Sequence, residues 1–334
     1  FASVGGISPA SHRHGMFLDN VIELEYVTME GEVRRLSATR ERDEFYAVLG
    51  STGQYGVITE LVLRVIRVDK YGTILENHRT IDTKVEDYVK RAGEFIRNPG
   101  DVVMERGVWL NLMVAGREVN VGQFSAYSST RQTPVAKLSD RVAYGYLHGL
   151  GNIAGRLPKT IDEAVKYMGM AGIILSPRFA TMKNVERFTD KVLDSSVGDP
   201  TRMFIILGPA DKFEKLFHEL YSICRRYRSE TGCFTFISIY VKAIHSQYLS
   251  QGRSTQPFCE LMLYAGINPK AMTREVLDQV VSEIDDLTIA QGAFRYMHSR
   301  TVKDPERRRK IDPNTYYSDR FSHSSASSAL RSAE

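Results

Sequence analysis

The amino-acid sequence predicts an α+β protein whose antiparallel sheet is backed by helices. Residues 1–70 alternate short β-branched segments with glycine turns, which is typical of strands joined by tight connections. Residues 211–228 and 277–287 repeat apolar side chains at helical spacing. Apolar strand-like segments flank both helices, so residues 203–298 follow a β-α-β-β-α-β order. This order suits an antiparallel sheet with helices packed against it.

Two glycine-rich loops mark the N-terminal part of the chain. Residues 5–15 precede two predicted strands, and residues 50–56 connect a short predicted helix, 43–49, to a β-branched strand over 57–65. Glycine permits positive φ and close approach of the backbone to a ligand. Exposed N–H groups in such turns form anion-binding nests, and serine hydroxyls add donors. From the residues alone, a dinucleotide-phosphate site and two ordinary glycine turns both remain open.

The middle of the chain predicts further strands and one helix. Strand signals cover residues 73–80, 107–114 and 119–127, and a helical pattern covers 85–96. Residues 133–200 are predicted to be helical or irregular, because they contain many glycines and no sharp motif.

The C-terminal third has the clearest periodicity. The first long helix should bury the side chains that recur at helical spacing, namely Phe213, Leu216, Phe217, Leu220, Cys224 and Tyr227. The strands that surround the two helices are predicted at residues 203–207, 234–242, 258–263 and 294–298. A polar, serine-rich tail over residues 321–334 predicts disorder.

Composition narrows the class of protein. With 334 residues, 43% hydrophobic and 25% charged, the chain is typical of a globular protein of one large or two ordinary domains. Its net charge of +4 and a single short basic run at 307–310 do not indicate a nucleic-acid partner. No apolar segment reaches transmembrane length, so no integral membrane segment is expected.

Three widely spaced cysteines give neither a disulfide framework nor a metal-binding spacing. We therefore expect each to be a small buried apolar residue and no metal to be bound. Unpaired cysteines favour a reducing, cytoplasmic compartment. The Gly-x-Ser-x-Gly and His-Glu-x-x-His motifs of hydrolases are absent from the sequence.

Residues 5–68 contain, in this order, the segments GGIS, RHG, DNV, ELE, AVLG and GVIT. Their order and spacing resemble those of the second FAD-binding subdomain of the vanillyl-alcohol-oxidase (PCMH-type) family of FAD-linked oxidoreductases. The pattern is similar to that of cytokinin dehydrogenases. Residues 236–242, 258–263, 299–301 and 308–313 are similar to decaprenylphosphoryl-β-ribose 2′-oxidase. The resemblance covers most of the chain and is specific at its two ends.

This resemblance implies a domain organisation. Residues 1–70 would form the second half of the FAD-binding domain, with the first half missing. Residues 71–298 would form the substrate cap, and 299–320 would return to the FAD domain. The chain would then be a fragment that binds FAD poorly by itself.

The resemblance also implies FAD as cofactor. The expected contacts are small or backbone-exposing residues of the two loops: Gly5, Gly6, Ser8, Ser11, Gly15, Gly53, Gly56, Val57 and Ile58. The implied reaction is hydride transfer from a hydroxyl-bearing substrate, such as a sugar, polyol or related alcohol, to flavin N5. Oxygen or another acceptor would reoxidise the flavin. An amine or cytokinin-type dehydrogenase and a non-catalytic module with the same fold remain alternatives.

Lys242 ends a strongly apolar predicted strand. A lysine there either faces solvent, in which case it contributes little to stability, or lies in a cleft. The resemblance places it over the flavin, where a cation could stabilise negative charge or orient a substrate. His298 is a second catalytic candidate, and Tyr240, His245 and Tyr296 are expected to line the substrate pocket.

Overall fold

Two antiparallel sheets organise this chain in the computed structural model. The structure describes residues 2–66, 74–114, 117–130, 133–142, 145, 178–182, 184, 201–296, 302 and 304–331. The smaller sheet has the order β2-β1-β3, and the larger, eight-stranded sheet has the order β11-β8-β10-β9-β5-β6-β4-β7. Helices and antiparallel sheets occupy separate layers, which confirms the predicted α+β class.

The smaller unit follows the predicted order of elements. It consists of α1 (Ser11–His14), β1 (Val21–Thr28), β2 (Val33–Ser37), α2 (Arg42–Val48) and β3 (Gly56–Leu63). Leu24 and Tyr26 alternate with half-buried glutamates along β1, so one face of the sheet is apolar. That face packs against Phe45 of α2.

The larger unit contains the remaining elements. Its first half consists of β4 (Ile74–Asp82), α3 (Val85–Arg97), β5 (Met104–Val114), β6 (Arg117–Ser129) and β7 (Phe179–Thr181). Its second half consists of β8 (Thr201–Pro209), α4 (Phe213–Thr231), β9 (Phe234–His245), α5 (Gln247–Ser250), β10 (Pro257–Ile267), α6 (Arg274–Ala290) and β11 (Phe294–Arg295). The helices α7 (Pro305–Ile311) and α8 (Thr315–Arg331) follow.

The two amphipathic helices pack as predicted. Every residue expected on the inner face of α4 is buried, and Val280, Ile284 and Leu287 of α6 are buried in the same cluster. Glycine at position 232, with φ +69°, ends α4 in the left-handed conformation that favours glycine. Trp109, Ile239 and other residues of the sheet complete this core, so the helices cover one face of the larger sheet.

The smaller unit packs on the opposite face of the larger sheet. Ile205 and Leu207 of β8 belong to the same buried cluster as Leu24 of β1 and Phe45 of α2. Their neighbour Ile206 points to the helix layer, as the alternation of a strand requires. The glycine loops therefore lie against the larger sheet.

Helix α8 continues through the serine-rich stretch to residue 331, where the sequence predicts a disordered tail. Tyr317 stacks on Tyr46 at 5.2 Å and on Tyr248 at 4.6 Å between ring centroids. This stacking anchors the first turn of α8 to the rest of the protein.

Other predictions are confirmed or lie outside the described residues. All three cysteines are unpaired and buried, as expected. Strand β7 was missed, because a three-residue strand has no usable periodicity. The proposed domain boundaries at 70 and 299, and most of residues 133–200, fall on residues that the structure does not describe. Among the described residues, no helix is long and apolar enough to cross a membrane.

Candidate functional site

The first glycine loop adopts the backbone conformation that its sequence predicts. Gly5 has φ +124° and Gly6 has φ +75°, both in the range that favours glycine. The N–H of Gly6 donates to the hydroxyl of Tyr296 at 2.7 Å. A Cβ atom on Gly5 would lie only 2.9 Å from the ring of Tyr296. Both glycines are therefore needed where β11 meets the loop.

Ser8 and Ser11 organise the turn that follows. The N–H of Ser8 donates to Ser11 Oγ at 2.9 Å, and the N–H of Ala10 donates to Ser8 Oγ at 3.1 Å. These bonds shape the turn that precedes α1, and Gly15 ends the helix with φ +74°. The two hydroxyl oxygens thus accept local hydrogen bonds at the start of a helix.

The second glycine loop lies beside the first. The N–H of Gly50 donates to the carbonyl of Ala2 at 3.0 Å, and the N–H of Thr52 donates to the carbonyl of Ser3 at 2.8 Å. Gly53 is exposed with φ +83°. The structure therefore joins two loops that lie about fifty residues apart in the sequence.

The other residues predicted around this loop lie in the smaller sheet. A Cβ on Gly56 would collide with the carbonyl oxygen of Val27. Val57 pairs with Val27 and is 68% exposed, and Ile58 pairs with Tyr26. The need for glycine at position 56 is thus explained by strand pairing.

Lys242 forms a buried ion pair with Glu260. The two residues pair across β9 and β10, and Lys242 Nζ lies 2.9 Å from Glu260 Oε2. Their side chains are 16% and 3% exposed. The interpretation of Lys242 as a solvent-facing lysine at a strand end is therefore wrong, since β9 continues to His245 and Glu260 holds the ammonium group.

Glu105 is a second buried carboxyl group near this pair. Its N–H donates to the carbonyl of Pro9 at 2.9 Å, and its Oε1 accepts from the N–H of Ala243 at 2.7 Å. Within the described part of the chain, Oε2 has no hydrogen-bond partner. Burial raises the pKa of Glu105 to about 8, although the charge of Lys242 opposes the shift. Burial therefore favours the protonated form of Glu105.

The predicted pocket residues are divided between two faces of β9. Tyr240 lies two residues before Lys242 on the same face and packs against Val108. Burial raises the pKa of its phenol. His245 follows Lys242 by three residues, so its exposed side chain lies on the opposite face of β9.

The remaining two candidates have different outcomes. Tyr296 is buried, and its hydroxyl already accepts a hydrogen bond from Gly6, so it connects β11 to the glycine loop. His298 lies outside the described residues. Across those residues, no group of three or more His, Cys, Asp or Glu side chains is placed to hold a metal ion.

Sequence reasoning missed Glu105 and Glu260. Glu260 carried a usable signal, since it interrupts the otherwise apolar segment 258–263. Glu105 carried none, because it precedes the predicted strand and is buried only when β5, β9 and the first glycine loop come together.

Tyr296→Phe should destabilise the protein by about 1–3 kcal/mol, because the buried N–H of Gly6 loses its acceptor. Urea unfolding of both proteins at pH 7 measures the change. Tyr316→Phe is a suitable control, since this half-buried tyrosine accepts a hydrogen bond from the exposed Arg320 at 3.2 Å. A loss no larger than that of the control would show that this hydrogen bond is unimportant for stability.

Together, these features define an α+β protein in which a glycine-loop unit meets a sheet face carrying a buried lysine–glutamate pair, and Glu105 is a further buried carboxyl group close to that pair. Known proteins share parts of its sequence. Cytokinin dehydrogenase 8 of Oryza sativa subsp. indica is 49% identical over 57 residues, covering 17% of this chain and 11% of the relative. Cytokinin dehydrogenase 1 of Oryza sativa subsp. japonica is 29% identical over 203 residues, covering 57% of this chain and 37% of the relative.

An uncharacterized FAD-linked oxidoreductase of Arthroderma benhamiae is 38% identical over 65 residues, covering 19% of this chain and 12% of the relative. The matches thus span between about a tenth and 37% of the length of these relatives. No protein-family model matches the chain. The similarities confirm the resemblance to FAD-linked oxidoreductases over part of the chain.

Proposed function

We propose that the protein is an FAD-dependent oxidoreductase that oxidises a hydroxyl-bearing small molecule, such as a sugar, polyol or related alcohol. The observation that carries the proposal is the buried Lys242–Glu260 pair next to the glycine-loop unit. Burying two charges is costly, and such groups are concentrated at functional sites. Similarity to FAD-linked oxidoreductases supports the choice of cofactor.

The residues present fit a flavin dinucleotide. The paired loops turn at left-handed glycines, and a backbone without Cβ atoms suits close approach to the phosphates. One buried polar atom of the first loop, His12 Nδ1, lacks a hydrogen-bond partner among the described residues and could be satisfied by a polar ligand. We propose that Gly5 and Gly6 approach the phosphates and that Gly53 approaches the nucleotide end. FAD, when bound, supplies the hydride acceptor.

The chain's own residues would handle the proton and the charge. Oxidation of an alcohol to a carbonyl removes a hydride from carbon and a proton from oxygen. The ammonium group of Lys242 would orient the hydroxyl and stabilise developing negative charge, and the Glu260 carboxylate beside it would accept the proton.

A second candidate is an amine dehydrogenase of cytokinin type. The relatives' names and one observation favour it: Glu105 is a buried carboxyl group with a pKa of about 8. Such a group loses its proton at mildly alkaline pH and could then accept one from a substrate amine. Oxygen or another acceptor would reoxidise the flavin in both cases.

A visible spectrum of the intact protein tests the proposal. We expect a yellow protein that is bleached anaerobically by a polyol or a sugar. Bleaching by N6-alkyladenines alone would favour the amine dehydrogenase. A folded protein that is colourless after incubation with FAD would contradict both enzymes and favour a non-catalytic module.

A further inference from the structure

Asn314 is a buried hydrogen-bonding centre just before α8. Its side chain is 1% exposed. The amide nitrogen donates to the carbonyl oxygens of Ala47 at 3.0 Å and Leu49 at 2.9 Å. The amide oxygen accepts from Ser318 Oγ at 2.6 Å, which sets the orientation of the amide. A residue of the C-terminal segment thus contacts the backbone at the end of α2.

These carbonyl groups lie where a helix leaves its last acceptors unpaired. Helix α2 ends at Val48, so its final carbonyls need donors from elsewhere. The hydroxyl of Tyr248 also donates to the Leu49 carbonyl, at 3.0 Å. Asn314 and Tyr248 therefore cap the end of α2 from two separate elements.

The same contacts fix one peptide group between the two glycine loops. The Leu49 carbonyl belongs to the Leu49–Gly50 peptide, whose N–H donates to the carbonyl of Ala2 at 3.0 Å. The carbonyl of this planar group accepts hydrogen bonds from Asn314 and Tyr248, and its N–H bonds to the segment that leads into Gly5 and Gly6. A rotation of this plane would move one loop relative to the other.

We propose that Asn314 is a positioning residue for the cofactor loops: by holding the Leu49–Gly50 peptide, it sets the relative placement of the first and second glycine loops. The inference rests on the proposed function, because its consequence is FAD affinity. Helix α8 has independent anchors, including the Tyr317–Tyr46 stack and the Arg320–Asp43 ion pair, so the docking of the helix does not depend on Asn314 alone.

The test compares Asn314→Ala and Asn314→Asp with Tyr317→Phe in the intact protein. Tyr317→Phe is a matched control, because its hydroxyl donates a buried hydrogen bond to the Tyr248 carbonyl at 2.7 Å but not to residues 47–50. Asn314→Asp keeps the shape and loses the amide donor. We measure the melting temperature of each variant and the FAD dissociation constant of its apo-protein.

Both Asn314 variants should bind FAD about tenfold more weakly than the wild type, while Tyr317→Phe should stay within about twofold despite a comparable drop in melting temperature. If the Asn314 variants do not fold, Ser318→Ala, which removes only the bond that orients the amide, should show a smaller loss of the same sign.

Unchanged FAD affinity in the folded Asn314 variants, or in Ser318→Ala where those do not fold, would overturn the inference. An equal loss in Tyr317→Phe would also overturn it, since the effect would then follow general destabilisation. A wild-type protein that does not bind FAD would overturn the proposed function and this inference with it. A wild type that binds FAD, with unaffected variants, would overturn the inference alone.

Discussion

Lys242→Met should slow flavin reduction by about 10²-fold and also destabilise the protein. The rate should fall because the variant lacks the cation proposed to stabilise charge as the substrate is oxidised. Stability should fall because Glu260, 3% exposed, would remain as an uncompensated buried charge. Breaking a buried ion pair in this way costs about 3–5 kcal/mol. Stopped-flow reduction and urea unfolding measure the two effects.

The double variant Lys242→Met, Glu260→Gln separates catalysis from stability. Removing both charges should restore most of the lost stability, because no buried charge remains unpaired. Reduction should stay slow. Lys270→Met, at an exposed lysine, is the control and should leave both properties unchanged. Normal reduction in a destabilised Lys242→Met protein would make Lys242 a structural residue and remove it from the proposed site.

Glu105→Gln should remove a large pH dependence of stability. Because burial raises the pKa of Glu105 to about 8, the folded protein should retain this proton up to about that pH, whereas the unfolded chain releases it near the ordinary value of 4.5. Between these values the folded state binds more protons, so this group's contribution is fully present below pH 4.5 and is lost as pH rises through 8. The loss is on the order of a few kcal/mol.

Urea unfolding at pH 5, 7 and 9 checks this expectation. The variant should be similar to the wild type at pH 5 and more stable at pH 9, because glutamine has no proton to release. Glu30→Gln changes an exposed glutamate and should show no such difference. Parallel pH profiles for wild type and Glu105→Gln would mean that Glu105 ionises normally in the folded protein.

The sequence predicted most secondary structure, because local periodicity reflects which side of an element is buried. The inner face of α4 and the order of elements from β8 to β11 agree with that prediction. The glycine loops were also recognisable, since positive φ at Gly5 and Gly6 requires a residue without a Cβ. The family resemblance rested on the same loops, which are local in sequence.

Only the tertiary structure revealed the chemistry around them. Lys242 meets Glu260 through the register of β9 and β10, and this contact reverses the expectation that Lys242 contributes little to stability. Glu105 is buried by contacts with residues 9 and 243, and Asn314 reaches back more than 260 residues to α2.

Such contacts are absent from local sequence patterns, because propensity and periodicity report the environment of a segment and not its partner. Strand register, loop apposition and the burial of a lone carboxyl group are fixed only when distant elements pack together. The sequence by itself therefore determined the elements and the glycine loops, and packing determined which buried charged and polar groups meet at the proposed site.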